Sequence, residues 1–305
     1  MKVKFLVFFT LLYSFSYSQT NAPSNGVSDA NGWTSYFQGS MPLVISVPHG
    51  GTINLPDVKD RSCEGAVIVT DNNTKELSYE ISEAFYKFYG LRPYLVVCNL
   101  IRKDVDQNRE INEGTCGNTS METPWNNFHN YIDTALAEAV KKFGACMYID
   151  LHGHGHPDQR LELGYLINDK KLAAFFNQEE IVDAKSTSLR NLISRPNQGN
   201  LRDLLFGPKA FGTLIAAKGF PAVPSQQDAF TKEGEKYFNG GYNTKRYTGP
   251  DYPNVFGWQI ESNFKGVRDA NGRPAFAIAF SEIIMQMLGQ YSFIKMPIIA
   301  AQQSN

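Results

Sequence analysis

Short apolar runs alternate with longer amphipathic stretches along this chain, and that alternation restricts the fold more than any other feature. Residues 42–47 (PLVISV) form an apolar run that opens on proline. From Thr74 onward, Leu77, Ile81, Ala84, Phe85 and Phe88 recur at helical spacing, and Gly90 supplies a stop. Residues 94–97 are β-branched and aromatic, the pattern of a second strand. Residues 126–143 carry a helical stripe of Phe128, Ile132, Leu136, Val140 and Phe143, closed by Gly144. Residues 145–151 (ACMYIDL) read as a third strand, 161–167 as a fourth and 255–261 as a later one, with a helix over 275–288. Between them, 168–220 reads as mostly helical with a break at 207–208, and 221–254 as a long loop rich in Pro, Gly, Asn and Tyr. Buried strands separated by helices build an α/β sheet, largely parallel. No internal repeat and no linker divides the chain, so one domain is expected.

Charge and leader bound the partners and the compartment. Lys+Arg 29 against Asp+Glu 30 gives a formal charge of -1, without the basic footprint of a nucleic-acid binder. Lys2 and Lys4 precede an apolar run over 5–13, and small or polar residues follow to Gln19. Residues 1–19 therefore read as a secretory signal. Their apolar run is shorter than the ~20 residues that span a bilayer, and no later stretch is apolar enough, so stable membrane insertion is not expected. A secreted or periplasmic protein follows as the expectation. Residues 20–40, rich in Asn, Ser and Gly, read as a flexible lead-in. Of the four cysteines, Cys98 and Cys146 lie in strand-like runs, whereas Cys63 and Cys116 lie in loop-like segments and are the better disulfide candidates.

Five histidines exist, and four of them follow predicted strands. His49 ends SVPHGG after the first run; His152, His154 and His156 follow the third in DLHGHGH. Ligands of open α/β sheets bind beyond the carboxyl ends of strands. Two strands thus deliver imidazoles to one rim, and a catalytic zinc takes three such ligands with one open position. His49 and His152 are the expected metal histidines, with His154 lining the pocket. The third ligand is a carboxylate: Asp71, in a position that also suits a helix cap, or Glu64 or Glu76. Arg102 and Arg109 flank a mixed-charge run, able to clamp a substrate carboxylate through paired hydrogen bonds, with Asp106 orienting such an arginine. Glu261 closes the 255–261 strand among apolar neighbours, as a general base with a raised pKa would. His129 and Trp125, one helical turn apart, either support a ligand or simply pack. Gly241 and Tyr242 lie on the long loop, where they can cover the pocket.

The series SVPHGG, DNNTKEL, DVDQNRE, WNNFH, DLHGHGHPDQRLELGY, NGGYNTKRY and WQIE resembles the N-formylglutamate amidohydrolase family, itself related to zinc carboxypeptidases. The resemblance spans about residues 42 to 290. It implies a three-layer α/β/α sandwich with a mixed, mainly parallel sheet, a catalytic domain over 41–295 and a tail over 296–305. It implies His49, Asp71 and His152 as ligands of one Zn2+ ion per chain, and Glu261 as the catalytic glutamate. Asn108-Arg109 is similar to the pair that grips a terminal carboxylate in the related peptidases, and Arg160 falls within the DQRLELGY motif. The expected activity is hydrolysis of an amide in an N-acyl amino acid or a short peptide with a free carboxylate. Peptidase action on cell-wall peptides, a non-catalytic metal- or ligand-binding role and a glycosidase with paired carboxylates are the rivals.

Overall fold

The computed structural model describes residues 21–293. The leader read over 1–19 and the tail over 296–305 lie outside the described residues.

The described residues open with two strands, β1 (Gly26–Ser28) and β2 (Thr34–Phe37), followed by β3 (Leu43–Val47), helix α1 (Thr74–Tyr89) and β4 (Tyr94–Cys98). A short helix α2 (Ile111–Thr115) leads into the long α3 (Glu122–Phe143), then β5 (Cys146–Gly153) and β6 (Leu161–Gly164). Four short helices follow: α4 (Asp169–Phe176), α5 (Arg190–Ile193), α6 (Leu201–Phe206) and α7 (Phe211–Ala217). The last elements are β7 (Ala222–Val223), α8 (Tyr242–Tyr247), β8 (Val255–Ser262) and α9 (Arg273–Gln290).

The eight strands form one sheet in the order β1-β2-β4-β3-β5-β8-β6-β7. The central four are mutually parallel, while β2 and β6 run antiparallel to β4 and β8. Helices α1 and α9 pack together on one face and α3 and α8 lie on the other, giving the expected α/β/α sandwich. Alternation along each strand explains the two cores. Leu43, Ile45, Met147, Ile149, Trp258 and Ile260 pack with Leu77, Phe85 and Phe280. Val44, Val96, Cys146 and Tyr148 pack with Phe128, Ile132 and Leu136 of α3. Near the carboxyl ends of the strands the α3 side turns polar, with Ser46, Asp150, His152, Gln259 and Glu261 all buried there.

Several expectations change. The lead-in is not loose: β1 and β2 extend the sheet, and Thr34–Phe37 is wholly buried against β4. Its TSYF core is good strand sequence, masked by the Asn and Gly around it. Phe88 sits on the helical stripe yet is 48% exposed. The strand expected over 161–167 stops at Gly164, against which the backbone of Asn239 and Gly240 packs. The loop expected over 221–254 holds β7 and α8.

Cys63 and Cys116 form a disulfide, and Cys98 and Cys146 are buried thiols. The bridge spans 53 residues, a loop length for which cross-linking contributes about 4 kcal/mol. Replacing both cysteines by serine is expected to cost about 2–5 kcal/mol in urea unfolding. An unchanged midpoint would mean that the reduced loop stays ordered by other contacts.

Candidate metal centre

Strand β3 lies between β4 and β5, so the chain leaves it in one direction and later returns on its other side. Such a switch point opens a crevice beyond the strand ends. Three of the expected residues meet there. His49 stands two residues past β3, His152 near the end of β5, and Asp71 on the loop before α1. One donor atom from each lies within 4.8 Å of the others, and all three side chains are buried. The ring centroids of His49 and His152 are 4.9 Å apart. Asp71 is not the helix cap; Asn73 occupies that position. Glu64 and Glu76 are not part of the cluster.

The hydrogen bonds fix how the imidazoles face. His49 Nε2 donates to Asp106 Oδ1 at 2.7 Å, and His152 Nε2 donates to Asp150 Oδ2 at 2.9 Å. Each ring therefore presents Nδ1 inward, at 3.4 Å and 3.2 Å from the same oxygen, Asp71 Oδ2. His49 Nδ1 is buried without a hydrogen-bond partner. Nitrogen lone pairs converging on a carboxylate oxygen call for a positive charge among them. Burial opposes charge on His152, but Asp150, Asp71 and Glu261 outweigh it and raise its pKa well above the ordinary value. Burial would likewise raise the Asp71 carboxyl, yet the hydrogen bond from His152 and the nearby His49 imidazole hold it low. An N,N,O donor set whose outer nitrogens are held by carboxylates fits a zinc-type cation.

The supporting shell was only partly visible in the sequence. Asp106 was expected to orient an arginine for substrate. It does hold one, Arg102, whose Nε donates to one oxygen at 3.0 Å, but its other oxygen backs His49, and buried Arg61 lies 3.6 Å away. Asp150 accepts from Ser46 Oγ at 2.6 Å in addition to His152. Its Asp-x-His spacing on a strand was the signal that could have found it, since alternate residues share a face. Buried Arg268, which no motif marked, donates to the carbonyls of Asn72, His154 and Ser262 and so ties three site loops together. A side chain on Gly153 would collide with that guanidinium. Asp106→Asn is expected to weaken metal binding at this centre about 10–100-fold, measured by competition with a zinc chelator; unaltered affinity would remove Asp106 from the ligand set's support.

Glu261 stands opposite His152 in the β5–β8 ladder. Burial pushes its carboxyl up to about 8; His152 opposes the rise, and Asp71 and Glu162 add to it. Asn108 joins this row to the outside. Its side-chain amide lies 3.3 Å from His152 Nε2, and its oxygen accepts from the Asn243 backbone amide at 2.8 Å. Gly241 packs so closely on Asn108 that a side chain there would collide with it. Beyond Asn108 opens a groove of about 650 Å³, lined by Arg109, Gly241, Tyr242 and Arg246 among others. Two other expected residues are engaged elsewhere. Arg160 pairs with Asp228 and Glu235, and His154 donates to the Arg160 carbonyl, apart from the His49 cluster. His129 bonds Tyr247 and stacks on Trp125, so that pair packs within the helix layer.

No family model and no curated protein matches the sequence. Solved structures do. The N-formylglutamate amidohydrolase from Ralstonia eutropha aligns at TM-score 0.51 and 13% identity, over 86% of this chain and 97% of that one. The chain shares that protein's α/β fold. A gene product of Agrobacterium tumefaciens aligns at 0.48 and 12% over 85% and 96%. The succinylglutamate desuccinylase of Chromobacterium violaceum aligns at 0.34 and 12% over 82% and 64%. The fold likeness rests on the first of these. Among the described residues no helix is long and apolar enough to cross a membrane.

Proposed function

We propose that this chain is a secreted, zinc-dependent hydrolase that cleaves an amide in an N-acyl amino acid or a short peptide carrying a free carboxylate. One observation carries the reading: two buried imidazoles, each backed by a carboxylate, aim Nδ1 at a shared Asp71 oxygen beside a buried glutamate. His49, Asp71 and His152 would hold the ion. When bound, such a cation acidifies water and polarises a carbonyl. Burial pushes the Glu261 carboxyl up to about 8; a cation held beside it would lower that value, and the ionised carboxylate can then take a proton from water and pass it to the leaving nitrogen. Arg109 faces the groove and, among the described residues, makes no ion pair, so its guanidinium is available to a substrate carboxylate. Asn108 positions the groove wall against His152, and Tyr242 supplies an aromatic surface beside it. Arg102, committed to Asp106, serves the centre by balancing charge there. The Cys63–Cys116 disulfide supports an oxidising compartment outside the cytosol.

The test is a screen of N-acyl amino acids and short peptides before and after chelation. Hydrolysis is expected to vanish with the metal and return on adding zinc. Turnover indifferent to chelation would sink the proposal, and a zinc-loaded protein inert toward every member would favour the binding role.

A further inference from the structure

Between β5 and β6 the chain turns through His154, Gly155 and His156, and this turn gathers a second set of donor atoms. One donor atom each from His154, His156 and Glu162 lies within 4.8 Å of the others. Glu162 is wholly buried and His154 is 4% exposed. A buried carboxylate needs a partner for each oxygen. The Phe238 amide donates to Glu162 Oε2 at 2.7 Å. Arg160, two residues away, is held by Asp228 and Glu235, so Oε1 is left to the imidazoles, with His156 Nδ1 at 2.6 Å and His154 Nδ1 at 3.9 Å.

The rings are held as ligands are held. His154 Nε2 donates to the Arg160 carbonyl at 2.8 Å, which leaves the lone pair on Nδ1. That lone pair accepts from the His156 backbone amide at 3.1 Å, a weak contact that a cation would displace, and Glu162 Oε1 lies 3.9 Å from the same nitrogen. A backbone carbonyl on the outer nitrogen is a common way to fix a metal-binding imidazole. His156 lies flat on the Phe238 ring, centroids 4.7 Å apart. Two imidazole nitrogens and a carboxylate oxygen suit a borderline divalent cation, with a further position left to water.

We propose that His154, His156 and Glu162 form a second divalent-cation site, separate from the His49 centre. Its place in the sheet shows what it would do. Glu162 stands opposite Glu261, and Glu261 opposite His152. Two strand steps separate the sites by about 10 Å, beyond the ~3.5–4 Å of a bridged two-metal centre. The second ion is therefore not a partner in the chemistry. It fastens the β5–β6 turn to the segment over 225–240, which Glu162, Arg160 and His156 all grip. That segment runs into Gly241 and Tyr242, one wall of the groove.

The experiment titrates zinc into the chelator-stripped full-length protein and counts bound ions by mass spectrometry after dialysis. The unaltered protein is expected to hold two ions per chain. His156→Ala and Glu162→Gln should each hold one, and that one should be lost on adding His152→Ala. His152→Ala alone should also hold one, removed by His156→Ala. Circular dichroism confirms that each variant is folded; His156 is partly exposed, and Gln nearly matches Glu in shape. A single ion whose binding neither His156→Ala nor Glu162→Gln alters would overturn the proposal and leave a hydrogen-bond network only. In that outcome the His49 centre stands; a single ion lost on His156→Ala instead would refute the His49 centre, so the two readings fail separately.

Discussion

Glu261→Gln is expected to lower amide hydrolysis about 10²–10⁴-fold, the usual contribution of a positioned proton carrier, while the protein keeps its metal. The substitution removes the proton acceptor but almost nothing else. Glutamine has nearly the same shape, and Glu261 Oε1 already accepts from Gln259 Nε2 at 2.8 Å, a contact the amide oxygen can retain. The buried carboxyl also stands beside Asp71 and Glu162, so its neutral replacement relieves repulsion and should not unfold the chain. Rate and zinc content measured on one preparation decide the matter. Full turnover with glutamine at 261 would move the base elsewhere. Loss of zinc together with rate would make Glu261 a ligand instead of a proton carrier.

His152→Ala is the second large effect. Turnover should fall below detection, and zinc affinity at the His49 centre should drop by more than the about 10–100-fold expected from losing an outer carboxylate. The variant deletes an inward nitrogen and also the partner of buried Asp150. Asp150 keeps its Ser46 hydrogen bond but loses its imidazole partner, and breaking a buried ion pair costs up to about 3–5 kcal/mol, so thermal unfolding should shift as well. His154→Ala is the contrast, because its ring serves a different cluster. Measured by chelator competition, equal losses from His152→Ala and His154→Ala would contradict the separation of the two clusters.

Much of this protein could be read along the chain. Periodicity found β3, α1, β4, α3, β5, β8 and α9, since each carries its own apolar pattern and buries it against a neighbour in the same layer scheme. The same reading missed β1 and β2, whose few residues give too short a pattern to stand out from Gly and Asn. It began α3 four residues late, because Pro124 in the first turn looks like a boundary though the first helical turn accepts proline. It also counted Arg160 and Arg102 as free to bind substrate, whereas both are neutralised by carboxylates distant in sequence or brought near by a turn.

The types of residue at the centre, and their places at strand ends, were set by the sequence: His49, His152 and Glu261 follow apolar runs whose direction a parallel sheet makes common. Which atoms meet was not. His49 finds Asp106 57 residues away, and His152 finds Asp71 81 residues away. Those pairings exist because β3 is inserted between β4 and β5, and strand order depends on how helices cover the two faces, a long-range balance of burial that no local pattern records. The places of Asp71, facing both imidazoles instead of capping α1, and of Asp106, backing an imidazole as well as Arg102, were decided only when the folded sheet brought those side chains into one crevice, where each buried charge must find a partner.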